Sequence, residues 1–313
     1  MINKVSIIIP SYNHSNFLED RINSIINQTY TNWELIIIDD KSDDDSVSKL
    51  KLLLKNYNHK IKHFIVNKEN SGSGYTSWKY GIELADTDYI WIAETDDYSE
   101  KTFLEESIKV LIKDKEVALV FSSSSYVDEN KKFMYDSLNR TKDLSVKYGE
   151  NKTFDSSRFL LATCSNPYII NGSSVVFKNP KEKKIPNHIF EKGLSTDIFL
   201  WTFLISGKKF GFINKKLNFF RRHANSTTEI LNKNKLKQVY VERIEFLNYF
   251  KLSNYFKPLL NSYISNYVWS NKNDIFNSKF LNKLETKKFV QLNYYTFLIS
   301  YGLKKINKKI FNG

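Results

Sequence analysis

Several of the features that place a chain in a common class are missing here. Only one cysteine, Cys164, stands in 313 residues. That excludes an internal disulfide and fits a reducing compartment, with the thiol expected to act as a small buried hydrophobe. No uninterrupted apolar run reaches the length of roughly 18 residues that a membrane span needs. The opening MINKVSIIIPSYN has neither a long apolar segment nor a small-residue cleavage site, so it does not read as a secretory leader. GxxxxGK[ST], a GxGxxG turn after a strand, CxxC and HExxH are all absent. Their absence argues against a P-loop ATPase, a dinucleotide-binding fold and a zinc site. There is no internal repeat, no low-complexity linker and no recognisable nucleic-acid module, so nucleic acid is not expected as a partner.

Charge is abundant and uneven. The net charge is +13, and residues 231–313 hold fifteen Lys/Arg against four Asp/Glu, which leaves the preceding 230 residues close to neutral. The segments VERIEFLNYFKLSNYFKPLL and FVQLNYYTFLISYGLKKINKKIF combine aliphatic and aromatic residues with lysines. They read either as interfacial helices on an anionic membrane surface or as a helical lid packed on the remainder. A composition biased toward Lys, Asn, Ile and Tyr, as an AT-rich genome gives, accounts for part of the same excess.

Ahead of that region, strand-like and helix-like stretches alternate. Val5 to Ile9, Trp33 to Ile38, Ile61 to Val66, Tyr89 to Ala93 and Ala118 to Ser122 are short, continuous apolar runs that read as buried strands. Phe17 to Gln28, Ser46 to Tyr57, Tyr75 to Ala85 and Thr102 to Ile112 carry helical spacing. Alternation of this kind predicts a mostly parallel sheet flanked by helices, with ligands beyond the carboxyl ends of its strands. After residue 123 the pattern weakens. Ser173 to Lys178 reads as a strand, Asp197 to Ile205 as a helix and Phe210 to Phe220 as short strands.

Polar groups gather where a parallel sheet puts its ligand. Pro10, Ser11 and Tyr12 follow the first strand, Asp39 and Asp40 the second, and Glu94, Asp96 and Asp97 the fourth, in the stretch IWIAETDDYSE. Three carboxylates within four residues repel one another unless something positive sits among them. A hard divalent cation, Mn²⁺ or Mg²⁺, holding a diphosphate would meet that need. An acidic turn capping the next helix is the other reading of the same residues.

At this point the chain resembles a family 2 glycosyltransferase of the GT-A fold, over roughly residues 3–225. The resemblance rests on VSIIIPSYNHSNFLEDRINSIINQTYTNWELIIIDDKSDD, then NSGSGYTSWKYGIELADTDYIWIAETDD, GLSTDIFLW and RRHANSTT, in that order. It implies that Pro10, Ser11 and Tyr12 line a nucleobase pocket and that Asp40, with Asp39, contacts the uracil or ribose. Asp96 and Asp97 would hold a metal or the ribose. Glu94 stands where most relatives have Asp, and Trp78-Lys79 where many have Arg-Asn, so Lys79 would become the phosphate or base contact. Asp197 would be the general base of an inverting transfer. Arg221 and Arg222 would grip the diphosphate, and His223 would join the metal. Asn171, Gly172 and Ser173 are expected near the acceptor, whereas His14, His59, His63 and His188 show no partner spacing and read as surface or structural.

The expectation is thus an α/β protein: a GT-A, Rossmann-like, mostly parallel sheet flanked by helices, with a C-terminal helical extension. A catalytic domain would span 1–225, with a nucleotide-sugar half to about 123 and an acceptor half over 124–225. A basic, aromatic-rich region would fill 226–313. The activity implied is transfer of a sugar from a nucleoside-diphosphate sugar, a UDP-sugar in particular, to a glycan or lipid-linked acceptor. It would serve bacterial surface polysaccharide synthesis in the cytoplasm or at the inner face of the membrane. A non-catalytic nucleotide-sugar-binding or glycan-binding protein and a sugar-phosphate nucleotidyltransferase are the alternatives. The latter normally carries a Gly-rich basic loop where this chain has PSYNHS. The lack of a QxxRW motif and of a transmembrane pore argues against processive synthesis.

Overall fold

The computed structural model describes residues 3–181, 184–191, 193–223 and single positions between 238 and 250. The chain divides into two compact units, Met1–Leu231 and Asn232–Gly313. Most of the basic C-terminal region, with its interfacial-helix or lid reading, lies outside the described residues, as does the side chain of Cys164.

The first half follows the alternation. Strand β1 (Val5–Ser11) leads to helix α1 (Ser15–Ile26), β2 (Trp33–Asp39), α2 (Ser46–Leu53), β3 (Ile61–Val66), α3 (Gly74–Leu84) and β4 (Tyr89–Ile92). A two-residue strand, β5 (Tyr98–Ser99), precedes α4 (Phe103–Lys113) and the long β6 (Val117–Val127). The second half holds β7 (Phe133–Asp136), β8 (Asn151–Asp155), α5 (Ser156–Ser165), β9 (Val175–Lys178), α6 (Thr196–Ile205) and β10 (Lys209–Arg221). Two boundaries differ from the sequence reading. The helical pattern after Ser46 breaks into a separate 3₁₀ segment at Lys55–Lys60, and the two short strands expected over Phe210 to Phe220 are one thirteen-residue strand.

The described strands form one ten-stranded sheet in the order β3-β2-β1-β4-β9-β6-β10-β5, with β7 beside β6 and β8 beside β10. Pairings among β3, β2, β1 and β4 are parallel, as is β6 with β10. Strand β9 runs antiparallel between β4 and β6. The central strands are apolar because both their faces are covered: Val5, Ile7, Ile8 and Ile9 of β1 and Ile36 to Ile38 of β2 are wholly buried. Parallel pairing brings the carboxyl ends of β1, β2 and β4 to one edge. There Asp40 N–H donates to Ser11 C=O at 2.8 Å, and Ala93 N–H to Ile8 C=O at 2.8 Å.

Helix α3 lies close on that sheet because Gly81 has no side chain. A Cβ there would stand 2.4 Å from Ile8 Cγ2. Alanine at a helical glycine normally gains about 1 kcal/mol, but overpacking against a β-branched strand residue costs about 1–3 kcal/mol. Gly81→Ala should therefore lower stability, by up to about 2 kcal/mol net, in a denaturant titration. Unchanged or raised stability would show that α3 can lift off β1 at no cost.

Candidate active site

The end of the crevice where a nucleotide is expected is built by β1 and β2. Asp39 is wholly buried. Its carboxylate accepts from Ser11 Oγ (2.9 Å), Ser42 Oγ (2.7 Å) and Ser42 N–H (2.8 Å). Asp40 turns the other way and gathers the loop before α3, accepting from Asn67 Nδ2 (2.7 Å), Ser71 N–H (3.0 Å) and Ser71 Oγ (2.7 Å). Both aspartates are thus held by hydrogen bonds within the protein and shape this end of the crevice. Pro10 is half-buried, while Tyr12 is exposed at the crevice edge. Asn13 follows in a left-handed conformation (φ 51°), stabilised because its Oδ1 accepts from Asp43 N–H at 2.8 Å. That bend introduces His14.

His14 is the residue that spacing alone does not reveal. Its Nδ1 lies 2.6 Å from Thr95 Oγ1, and its ring meets the His223 ring edge-on with centroids 5.7 Å apart. His223 is buried, with Nε2 at 3.2 Å from Asp96 Oδ2. One ligand atom from each of His14, Asp96 and His223 lies within 4.8 Å of the others. Burial would raise the Asp96 carboxyl, but the His223 hydrogen bond and the field of His14 outweigh it and hold it below the ordinary range. Burial, together with His223 and against the pull of Asp96, lowers His14 and favours its neutral, ligating form. One carboxylate and two imidazoles are a suitable donor set for a divalent ion.

Asp97 faces away from this group. Its Oδ2 accepts from Asn171 Nδ2 and its Oδ1 from the Arg221 N–H at 3.1 Å, so both oxygens are committed to the protein. Burial, reinforced by the charge of Asp96, raises it to about 7. This geometry has Asp97 joining the carboxylate turn to β10, and the group among the described residues that could hold a metal ion is His14, Asp96 and His223. The Glu94 carboxyl is pushed well up by burial and by the charges of Asp96, Asp97 and Asp197. Asp197 therefore stands near enough to be felt at Glu94. It lies in the first turn of α6, where its Oδ1 accepts from Ile198 N–H at 2.8 Å.

A second unforeseen residue is Arg21, on the inner face of α1. It is wholly buried, and its Nε donates to Glu94 C=O at 2.7 Å and its Nη2 to Ser173 Oγ at 3.1 Å. The guanidinium lies over the Trp91 ring, 5.5 Å from its centroid. Ser173 Oγ also accepts from Glu94 N–H at 3.1 Å. Asn171 and Ser173, expected near an acceptor, are thus engaged in fixing the carboxylate turn. Gly172 between them lies against the Trp78 ring, where a Cβ would be 2.4 Å from a ring carbon. Trp78 in turn touches Trp201 of α6, centroids 5.9 Å apart.

The remaining expected contacts sit elsewhere. Arg221 is buried, pairs with Asp20 at 2.7 Å and lies over the Phe17 ring, so its side chain braces α1 against β10. Arg222 lies on the other side of the strand over Phe220, 5.6 Å from the ring centroid, and its N–H donates to Val127 C=O. Lys79 pairs with Glu83 at 3.9 Å and lines a groove of about 650 Å³ with Asp86 and Asn179. Asn179 N–H donates to Asp88 C=O, just before β4, so that groove belongs to the opposite end of the sheet from the carboxylates. Lys79 and the two arginine side chains, each expected at the diphosphate, are thus found in contacts within the fold.

Comparison with known proteins identifies the family and the fold. Residues 6–182 match the profile of Glycosyl transferase family 2. An uncharacterized glycosyltransferase of Rickettsia bellii is 30% identical over 75% of this chain, which spans only 31% of that protein's length. The Escherichia coli UDP-Glc:alpha-D-GlcNAc-diphosphoundecaprenol beta-1,3-glucosyltransferase WfgD is 34% identical over 40% of this chain and 47% of its own. Among solved structures, S. aureus TarS in complex with UDP-GlcNAc superposes with a TM-score of 0.60 over 93% of this chain and 78% of its own, at 15% identity. The chain belongs to glycosyl transferase family 2 and has the GT-A fold.

Proposed function

We propose that the protein transfers a sugar from a nucleoside-diphosphate sugar, most simply a UDP-sugar, to a glycan or lipid-linked acceptor in bacterial surface polysaccharide synthesis. The reaction would run with inversion, on the cytoplasmic side of the membrane. The observation that carries this reading is the convergence of His14, Asp96 and His223 at the carboxyl ends of β1, β4 and β10, with Asp197 at the start of α6. The two similar proteins that use or bind UDP-sugars, WfgD and TarS, support the choice of uridine.

In the proposed step, an acceptor hydroxyl oxygen attacks the anomeric carbon. The bond from that carbon to the diphosphate oxygen breaks, and its electron pair leaves with the nucleoside diphosphate. Asp197 takes the hydroxyl proton on the face opposite the leaving group. Asp39 and Asp40, held by the protein's own hydrogen bonds, would shape the nucleobase pocket. A divalent ion on His14, Asp96 and His223 would supply Lewis-acid stabilisation to the departing diphosphate. Two imidazole donors favour Mn²⁺ over Mg²⁺, which prefers an oxygen shell. No described helix is long and apolar enough to cross a membrane, so access to a lipid-linked acceptor would be from the membrane surface.

A thermal-shift panel of UDP, GDP, CDP, ADP and dTDP, with and without Mn²⁺, tests the donor site. A ligand at a hundred times its Kd adds about 2.7 kcal/mol to the folded state. The expected result is a stabilisation by UDP that requires Mn²⁺ and is weaker with Mg²⁺. Stabilisation by another nucleotide alone would reject uridine, and none with any nucleotide would reject the donor site.

A further inference from the structure

We infer that Arg21 is the built-in counter-cation of the carboxylate turn, a positioning residue that holds Glu94, Asp96 and Asp97 together before any metal arrives. Its position is specific. The side chain is wholly buried, and it joins the turn through two different atoms: Nε on the Glu94 carbonyl, and Nη2 on the Ser173 hydroxyl that also receives the Glu94 N–H. Its Nη1 is buried without a hydrogen-bond partner. Arginine placed purely for packing would not be left with a dry donor, whose loss of hydration costs about 1–3 kcal/mol. The charge itself must be wanted there.

The surrounding charges show why. Asp97, Asp96 and Glu94 are the carboxylates acting on Arg21, in that order, and each favours its charged form. The guanidinium remains protonated with its value lowered only to about 10 by burial. The nearby Arg221 is already paired with Asp20. Arg21 is therefore the cation that faces the turn itself, and Trp91 beneath it adds a cation–π contact. A metal on His14, Asp96 and His223 would draw on the same negative charge. Arg21 and the metal thus share one task and should partly replace each other.

That sharing separates a counter-charge from a packing residue. A side chain that merely fills space costs the same stability with or without metal. A counter-charge costs more without it. Thermal unfolding of the full chain would be measured for wild type, Arg21→Met, Asp97→Asn and the double variant, each with and without saturating Mn²⁺. Removing a buried cation from the field of Asp97, Asp96 and Glu94 predicts a fall for Arg21→Met of roughly 10 °C without metal. Mn²⁺ should return at least half of it, a larger shift than in wild type. Asp97→Asn, which removes one of the negative charges, should independently reduce the Arg21→Met loss.

Equal losses with and without Mn²⁺, together with additive losses in the double variant, would overturn the inference. Only its Mn²⁺ arm rests on the metal reading of the site. Rescue by Asp97→Asn with no Mn²⁺ shift in any of the proteins would reject the metal assignment and retain Arg21 as the counter-charge. If Arg21→Met does not fold, Arg21→Lys carries the test. Retained charge should give a folded protein with a wild-type Mn²⁺ shift. A lysine variant that also fails to fold, and is not rescued by Asp97→Asn, would overturn the inference.

Discussion

Replacing Asp197 by asparagine should lower kcat by about a hundred- to ten-thousandfold, the usual contribution of a positioned general base. The fold should survive, because an asparagine oxygen can also accept from the neighbouring Ile198 N–H. Loss of a carboxylate from the first turn of α6 costs only about 0.3–1 kcal/mol of helix-dipole energy. Donor binding should be unchanged, since the nucleotide pocket is built by β1, β2 and the loop before α3. The measurement is a steady-state rate with the nucleotide sugar that the thermal-shift panel selects, beside the nucleotide shift of the same variant. A kcat within threefold of wild type would remove Asp197 from the chemistry. A lost nucleotide shift would reassign it to binding.

Asp96→Asn should abolish metal-dependent nucleotide binding and reduce transfer by about a thousandfold, since several kcal/mol of charge stabilisation are at stake and each 1.4 kcal/mol is tenfold. Asp96 is the one described carboxylate that shares a cluster with His14 and His223, and its charged form is favoured there. His14→Ala should weaken Mn²⁺ binding without removing it, because Asp96 and His223 remain. Asp97→Asn provides the contrast. Its oxygens already serve Asn171 and Arg221, so it should cost stability more than metal affinity. Calorimetric Mn²⁺ titrations would rank the three variants. A larger loss at Asp97 than at Asp96 would reverse the assignment of the two neighbouring aspartates.

How far the sequence could reach follows from what each residue needs. The strands of the first half were legible because full burial on both faces leaves uninterrupted apolar runs, as in IIIP and LIIID. Strands β7 and β8 were not, since Phe133 and Met134 are exposed and NKTFD carries little period. The carboxylate turn was legible as chemistry but not as geometry. Nothing local to TDD distinguishes a carboxylate aimed at a metal from one aimed at Asn171. His14 follows directly on the Pro-Ser-Tyr-Asn turn at the end of β1, which is a positional clue. Its partners Thr95, Asp96 and His223 are distant in sequence and are supplied only by the sheet. Arg21 sits among the apolar positions of α1, and a charge on the inner face of a helix is the signal that could have marked it. Arg221 and Arg222 look alike in sequence, yet opposite sides of β10 give one a salt bridge with Asp20 and the other a ring contact with Phe220.

The long strand β10 sets the order in which the protein can be made. It pairs with β6 along its length, and at its far end the Arg221 side chain reaches Asp20 across 201 residues while its N–H reaches Asp97 across 124. Contacts that distant are slow to close and are lost until the last partner is present. On the ribosome, β1 to β4 can pair while the carboxylate turn still lacks its closing strand. Until Lys209–Arg221 has emerged, β6 keeps an open edge of the kind that invites pairing with another chain. Nascent chains stalled before β10 should therefore aggregate through β6, and ligand binding should appear only after that strand has been released.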